Sequence, residues 1–486
     1  MARRFSLPQI TCRGDVLFLA LIVAHLLLKL ALGVIMVHVR PSGDELAYMD
    51  AAKALSNAVR DLLHLMPPDT GELTANVVGN GWFMPGMPLL ATPLYLIDPD
   101  ASLLAMRAYV GVLTFGLWLW SMLAVRRFLG NVHACALLVI PSLIPLWVMF
   151  TFTLWGDLCA GLVLVVLLAR AYAMVRQYRA GHVPSWRQAL TLGVLAAAVL
   201  YLRASTLPLV PLLFAALLVA AWLFAPRQTR MAATLNLVAA GSVFLALLLP
   251  WSIAASAALR APVLTTTSVP LSLAITFGDT RKLCYGPCPN GEIWLTSVRY
   301  SRELEMATGR NAIDVQKAMS RHALAGVTTH AYAEKVVENF DRYLLRPNAF
   351  VSRFMPTDDS PTRRIIDGTT RLMYYLAMFA FMAAMLAVFR RSFDLQAESL
   401  LIKLFSLSLM LQPFVHISHG RYWPVFAPFF GLSLGLLLQA HAARRSAART
   451  DGSTAFAPSP TMIWTQALFV IGIIAVAAGV LIVAHT

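Results

Sequence analysis

Charge is scarce in this 486-residue sequence: Asp, Glu, Lys and Arg together make up 13% of it, against 58% hydrophobic residues, and mean hydropathy is +0.68. That leaves too little polar surface for a soluble globule of this length and predicts a polytopic membrane protein. Cysteine is scarce too, with five in the chain, which excludes a disulfide framework. Cys12, Cys135 and Cys159 fall at or inside apolar runs, where a thiol acts as a small hydrophobe. Cys284 and Cys288, in Cys-Tyr-Gly-Pro-Cys, are expected to form a disulfide across the Gly286-Pro287 turn, with free thiols as the alternative. Metal-ligand patterns of the His-x-x-x-His or paired-Asp kind are missing, so no metal is expected, although a bare Asp-Glu pair can hold a cation. Polar residues strung through several apolar runs are missing as well. Only His25 and Lys29 stand inside one, and no inverted repeat is visible, which weakens a transporter or flippase of a lipid-linked sugar as the alternative reading.

The net charge is +15, but the arginines lie in short clusters between apolar runs rather than in one patch, so they report topology and not nucleic acid. The run Asp15 to Val37 follows Arg3, Arg4 and Arg13 and reads as an uncleaved anchor with a cytoplasmic amino terminus. Ten further runs complete about eleven expected spans: Leu103–Val125, His133–Phe150, Thr153–Met174, Gln188–Leu202, Thr206–Phe224, Thr234–Ser256, Thr370–Phe389, Ser399–Val415, Tyr422–Ala440 and Met462–Ala484. With this assignment every inside connection is basic: Arg126-Arg127, then Arg170 to Arg187, Arg227 and Arg230, Arg390-Arg391, and Arg444, Arg445 and Arg449. Met84–Ile97 is too short and proline-rich to cross.

Three regions are expected. Residues 1–256 form an amino-terminal membrane module whose first outer loop is 38–102, residues 257–367 form an outer cap, and residues 368–486 hold the last spans. The loop contains an amphipathic stretch, Asp44 to Leu65, suited to the membrane interface through Leu46, Met49, Ala54, Leu55, Val59, Leu62 and Leu63. The cap opens on a β-like, threonine-rich piece, Val263 to Phe277, and continues as helix, so a mixed structure is expected there. Residues 449–460 read as a flexible inside linker.

Acids at the outer rim carry the chemistry. Asp44 and Glu45 follow the first span, and Asp157 opens the fourth at the end opposite its basic terminus. Asp44 suits either a helix N-cap or a general base that takes the proton of an attacking hydroxyl. Glu45 suits the first turn of a helix, where the dipole favours an acid, and Tyr48, one turn from Asp44, suits a headgroup anchor or a substrate contact. Arg203 and Arg421 are expected on the same rim, available either to headgroups or to phosphate oxygens, which the planar guanidinium binds bidentately. Lys29 is expected to meet a neighbouring helix, and Gly431-x-x-x-Gly435 to pack helices.

Taken in order, Asp44-Glu45-x-x-Tyr48, the proline-rich Trp82 to Leu90, Asp157, Leu202-Arg203-Ala204-Ser205, Pro250-Trp251 and Arg421 to Pro428 resemble the GT-C class of integral membrane glycosyltransferases. The likeness extends to about Leu438. It is closest to the branch holding protein O-mannosyltransferases, lipid A aminoarabinose transferases and lipopolysaccharide-core sugar transferases. The resemblance implies an all-α polytopic enzyme of the bacterial inner membrane with a periplasmic active site. It further implies transfer of a sugar from a polyprenyl-phosphate carrier to a hydroxyl of a glycolipid, polysaccharide or protein, usually with inversion and without a cofactor. Asp44 then matches the family's catalytic acid, Asp157 its second outer acid and Arg421 an arginine near the lipid phosphate, with Glu45, Tyr48 and Arg203 as substrate contacts. Thr265 to Pro270 replaces the Asn-Gly-rich start of the family's long outer loop. A reporter fused after Pro262 is expected to behave as translocated, and cytoplasmic reporter activity there would move the whole site to the wrong side.

Overall fold

The computed structural model describes residues 12–346, 350–355, 360–416, 420–447 and 457–485. Arg3, Arg4, residues 417–419 and most of the linker read over 449–460 lie outside them. The described residues are helical, with no strand. Nine helices among them are long and apolar enough to cross a membrane, which makes the chain a multi-pass membrane protein.

Helix α1 (Cys12–Met36) leads to α2 (Asp44–Leu63), the short α3 (Thr70–Leu73) and α4 (Gly86–Ile97), which packs on α2 without spanning. Ser102 caps α5 (Leu103–Phe128) by accepting from the Ala105 amide at 3.2 Å. The expected span His133–Phe150 is not one helix. It is broken into α6 (Asn131–Val139) and α7 (Pro145–Phe150), because Pro141 and Pro145 hold Ile140 and Ile144 in extended backbone. Both pieces are sunk in the bundle, with every residue of α7 buried.

Helix α8 (Gly156–Arg179) is buried on nearly all sides, as its uninterrupted apolar run Leu158 to Ala169 requires. It packs on α5, on α9 (Trp186–Leu202), α10 (Leu209–Phe224), α18 (Phe393–Leu409) and α19 (Trp423–Ala447). Asp157 lies in its first turn and Arg176 and Arg179 in its last, the arrangement the helix dipole favours at both ends. Helix α9 is short, 17 residues covering about 25 Å, yet it returns from the basic turn after α8 to the outer end of α8. The remaining long helices are α11 (Arg230–Leu259), α17 (Pro361–Leu386) and α20 (Pro460–His485).

Between α11 and α17 the cap is built from α12 (Val269–Phe277), α13 (Ile293–Thr308), α14 (Ala312–Leu324), α15 (Thr329–Phe340) and α16 (Val351–Phe354). The expected β-like piece, Val263 to Phe277, is not a strand. Thr265 to Thr267 is non-helical and bonds sideways, but to loop carbonyls rather than to a strand. Thr267 donates its amide to Gly81 at 2.8 Å and its hydroxyl to Asn80 at 2.6 Å, and the Trp251 indole donates to the Thr265 carbonyl at 2.7 Å. From Val269 on, Pro270 in the first turn starts a helix. Cys284 and Cys288 are joined, with Cα atoms 4.9 Å apart.

Gly431 and Gly435 press α19 on α6. A methyl at Gly431 would stand 2.0 Å from the Ile140 carbonyl oxygen, a contact with backbone that cannot move aside. Gly431→Leu is expected to destabilise the bundle by about 3 kcal/mol or more through overpacking. Gly472→Leu, where a methyl meets nothing within 4 Å, should leave thermal unfolding in detergent unchanged.

Candidate active site

The chain leaves α1 and enters α2 through Gly43, whose φ of +59° is left-handed and suits glycine. Gly43 is the N-cap, without a side-chain cap bond, so Asp44 is the first helical residue and not the cap. Its carboxylate is left for another partner. Glu45 is a correction of a different kind, since it is not a solvated first-turn acid. It is 2% exposed and forms an ion pair with Arg107 of α5, Nη1 to Oε1 at 2.6 Å. The same oxygen accepts from the Leu154 amide at 2.9 Å, and Oε2 accepts from the Ser42 amide at 3.3 Å. Arg107, wholly buried, also donates to the carbonyls of Phe152 at 2.8 Å and Val39 at 3.0 Å. This pair fastens the start of α2 to α5 and to the segment that enters α8.

The four charged residues expected on the outer rim meet. Arg421, in the turn before α19, donates to Asp44 Oδ2, and its Nε lies 3.9 Å from Asp157 Oδ2. Asp157 pairs in turn with Arg203, whose Nη2 donates to Gln412 Oε1 at 2.5 Å. The result is an alternating series, Asp44, Arg421, Asp157, Arg203, closed by an amide. Asp157 and Arg203 are the drier members, at 4% and 10% exposure, against 19% for Arg421 and 22% for Asp44, so Asp44 is the more accessible of the two acids.

Backbone geometry places Arg203 beside Asp157. A methyl at Gly156 would stand 2.2 Å from the Leu202 carbonyl oxygen, so only glycine lets the outer end of α9 meet the outer end of α8 so closely. Aromatic faces line the cations. The Arg421 guanidinium carbon is 5.2 Å from the ring centres of both Trp155 and Tyr422, and that of Arg203 is 4.6 Å from Tyr422. Tyr48 is buried one turn below Asp44 with Phe83 edge-on at 5.2 Å, rather than at the headgroups. Burial, and then the charge of Asp44, push its phenol well above the usual range, so it stays a neutral hydroxyl.

The amphipathic face of α2 is only partly as expected. Leu46, Leu62 and Leu63 are exposed, as an interfacial helix requires, whereas Ala54 joins Tyr48, Ala51, Ala52 and Ala58 in the buried face toward α4. Lys29 does meet its neighbours. Its amine donates to Thr151 Oγ1 at 2.5 Å and Thr114 Oγ1 at 3.1 Å, over the Phe152 ring. His25 bonds the Ser142 carbonyl at 2.7 Å and stacks on Trp118 at 4.0 Å. Neither joins the rim. Among the described residues, no three His, Cys, Asp or Glu side chains come together as a metal-binding group.

Sequence reasoning missed Arg107, Gln412, Trp155 and Tyr422. Arg107 carried a signal: it stands at the outer end of the second span, where the inside bias of arginine disfavours one without a partner. The other three are ordinary residues that join the network by position alone.

Fold and site together define a polytopic, all-helical membrane protein with an arginine-bridged pair of acids at the rim opposite its basic helix ends. No family model matches the chain and no curated protein matches it. Among solved structures it is similar to the apo crystal structure of the oligosaccharyltransferase of Archaeoglobus fulgidus, at 12% identity over 95% of this chain and 55% of that one, TM-score 0.40. It is similar to that organism's oligosaccharyltransferase AglB in complex with an inhibitory peptide and a dolichol-phosphate, at 12% identity, the same coverage and TM-score 0.39. A third is apo ArnT from Cupriavidus metallidurans, at 14% identity over 88% of this chain and 78% of that one, TM-score 0.34. The chain spans about half the length of the oligosaccharyltransferases. At these TM-scores nothing of those proteins' chemistry is carried over to this chain.

Removing one partner of the Glu45–Arg107 pair strands the other charge in the bundle, so Arg107→Leu is expected to cost about 3–5 kcal/mol. The double variant Glu45→Leu/Arg107→Leu should recover part of that loss. Equal unfolding midpoints for single and double variants would show that the pair is uncoupled.

Proposed function

We propose that the chain is a GT-C-type glycosyltransferase of the bacterial inner membrane, moving a sugar from a polyprenyl-phosphate carrier to a hydroxyl at the periplasmic face. The acceptor class is a glycolipid, a polysaccharide or a protein. The observation that supports this reading most directly is the sharing of Arg421 between Asp44 and Asp157. One largely buried cation holds a potential base, and the same cation is suited to a phosphate.

In this scheme the donor phosphate competes with Asp44 for the Arg421 guanidinium. As the phosphate takes those donors, the Asp44 carboxylate is released to accept the proton of the acceptor hydroxyl. The hydroxyl oxygen bonds to the anomeric carbon from the face opposite the phosphate, the bond from that carbon to the phosphate oxygen breaks, and configuration inverts. The lipid phosphate leaves with its charge met by Arg421 and Arg203, whose Nε atoms are buried and without hydrogen-bond partners. Asp157 holds the two arginines in place and apart. No cofactor takes part in this scheme.

General base catalysis contributes about 10²- to 10⁴-fold, so Asp44→Asn is expected to lose that factor in kcat while remaining folded. Arg421→Lys keeps charge without the planar fork and should fall between wild type and Arg421→Ala, whose loss is about 2 to 4 kcal/mol, roughly 30- to 1000-fold. The assay is sugar transfer from a synthetic polyprenyl-phosphate sugar by purified protein in detergent, with envelope glycans of the deletion strain compared by mass spectrometry to find the acceptor. Wild-type activity in Asp44→Asn would remove it as the base. Full activity of Arg421→Ala at saturating donor would remove the phosphate role.

A further inference from the structure

Beside the acid network, on the membrane-facing side of α1, lies a cleft of about 840 Å³ between the end of α1 and residues 352–355. His38, Arg40 and Arg353 line its upper part, Val34, Ile35 and Met355 its lower part, and the lining contains no acid among the described residues. Arg353 is fixed by donating to Ser42 Oγ at 2.8 Å, yet neither Arg353 nor Arg40 has an acidic partner among the described residues, and both are exposed. Several other arginines of the outer segments do have one: Arg203, Arg281, Arg299, Arg342, Arg346, Arg371 and Arg421 pair with carboxylates. Below the cations, Leu27, Leu30 and Val34 stand in one exposed stripe of α1, at 62%, 62% and 69% exposure. Their spacing of three and four residues sets them on one face that a lipid chain covers.

The cleft adjoins the site through one residue. The Arg353 guanidinium is 5.9 Å from the Trp155 ring and that of Arg421 is 5.2 Å from it, so a single indole separates the outer cation from the one that holds Asp44. Ser42, in the lining, is two residues from Asp44.

Resting on the glycosyltransferase reading, we propose that this cleft is the lateral port of the polyprenyl-phosphate donor. Arg40 and Arg353 take the phosphate, the chain lies along the Leu27–Leu30–Val34 stripe, and the phosphate passes Trp155 to reach Arg421. Arg40 and Arg353 are thus positioning residues that set donor affinity, and the chemistry stays with Asp44 and Arg421. A single-chain anionic lipid fits one apolar stripe under one cationic mouth, which a free phosphate leaves half unused.

Binding of a fluorescent polyprenyl phosphate to purified full-length protein in nanodiscs tests the port, with polyprenol, dioleoyl phosphatidic acid and inorganic phosphate as competitors. Arg40→Gln and Arg353→Gln are each expected to weaken binding roughly 10-fold, and the pair roughly 100-fold, from the loss of charge-assisted contacts. Arg353→Lys should restore part of the loss, and thermal midpoints without lipid should stay at the wild-type value. Unchanged affinity in the double variant overturns the proposal. So does phosphatidic acid competing as well as the polyprenyl phosphate, which would make this a general headgroup site, or full competition by inorganic phosphate, which would remove the lipid. The two readings fail separately. With polyprenyl-phosphate sugar, a wrong port leaves transfer intact with unaltered KM in the double variant, whereas a wrong activity leaves arginine-dependent binding without any transfer by wild type.

Discussion

A buried ion pair between Glu45 and Arg107 holds together the parts from which the site is made. Neither residue touches the reacting groups in the scheme above, but between them they bond the loop after α1, the first turn of α2, and the backbone at Phe152 and Leu154 just ahead of Asp157. A charge pair this dry costs desolvation free energy, which the attraction offsets only when the remaining lone pairs and protons are also bonded. Here both oxygens of Glu45 and both terminal nitrogens of Arg107 are used. That saturation makes the adjoining Asp44 a fixed point rather than a side chain on a loose loop.

The second tier of organisation is the alternation of sign from Asp44 to Arg203. Two carboxylates near one another at a membrane rim repel, and each arginine between or beside them removes that repulsion while adding a directional constraint. The aromatic faces of Trp155 and Tyr422 supply cations with a flat, weakly polar bed that does not compete for their N–H groups. Arginines arranged this way can exchange one anionic oxygen for another with little movement.

Much of this was legible in the sequence because a membrane turns sidedness into an address. Once the basic turns marked the inside, Asp44, Asp157, Arg203 and Arg421 were all sent to the same rim, and the structure places them in one network. What sequence could not supply was the partner of each charge. Glu45 and Asp44 are neighbours in a helix that point to different places, one into the bundle and one to the network, and local sequence does not say which is which. The single helix expected over His133–Phe150 is broken, a break missed because hydropathy averages over prolines that the backbone does not. The threonines at 265–267 failed for the opposite reason, since an extended preference was present but its hydrogen-bond partner was a loop far away in the chain.

The hydrogen bond between Asp44 and Arg421 joins residues 377 positions apart. Asp44 is made before Arg421, so contact between them must wait for the intervening helices to be inserted and packed. Until then the first acid stands at the rim with no arginine beside it. The network is therefore a record of completed assembly: a chain arrested before α19 can hold every upstream helix in the membrane and still lack the cation that organises its acids. Charge pairing at the rim thus ties the maturation of the protein to the arrival of the turn before α19.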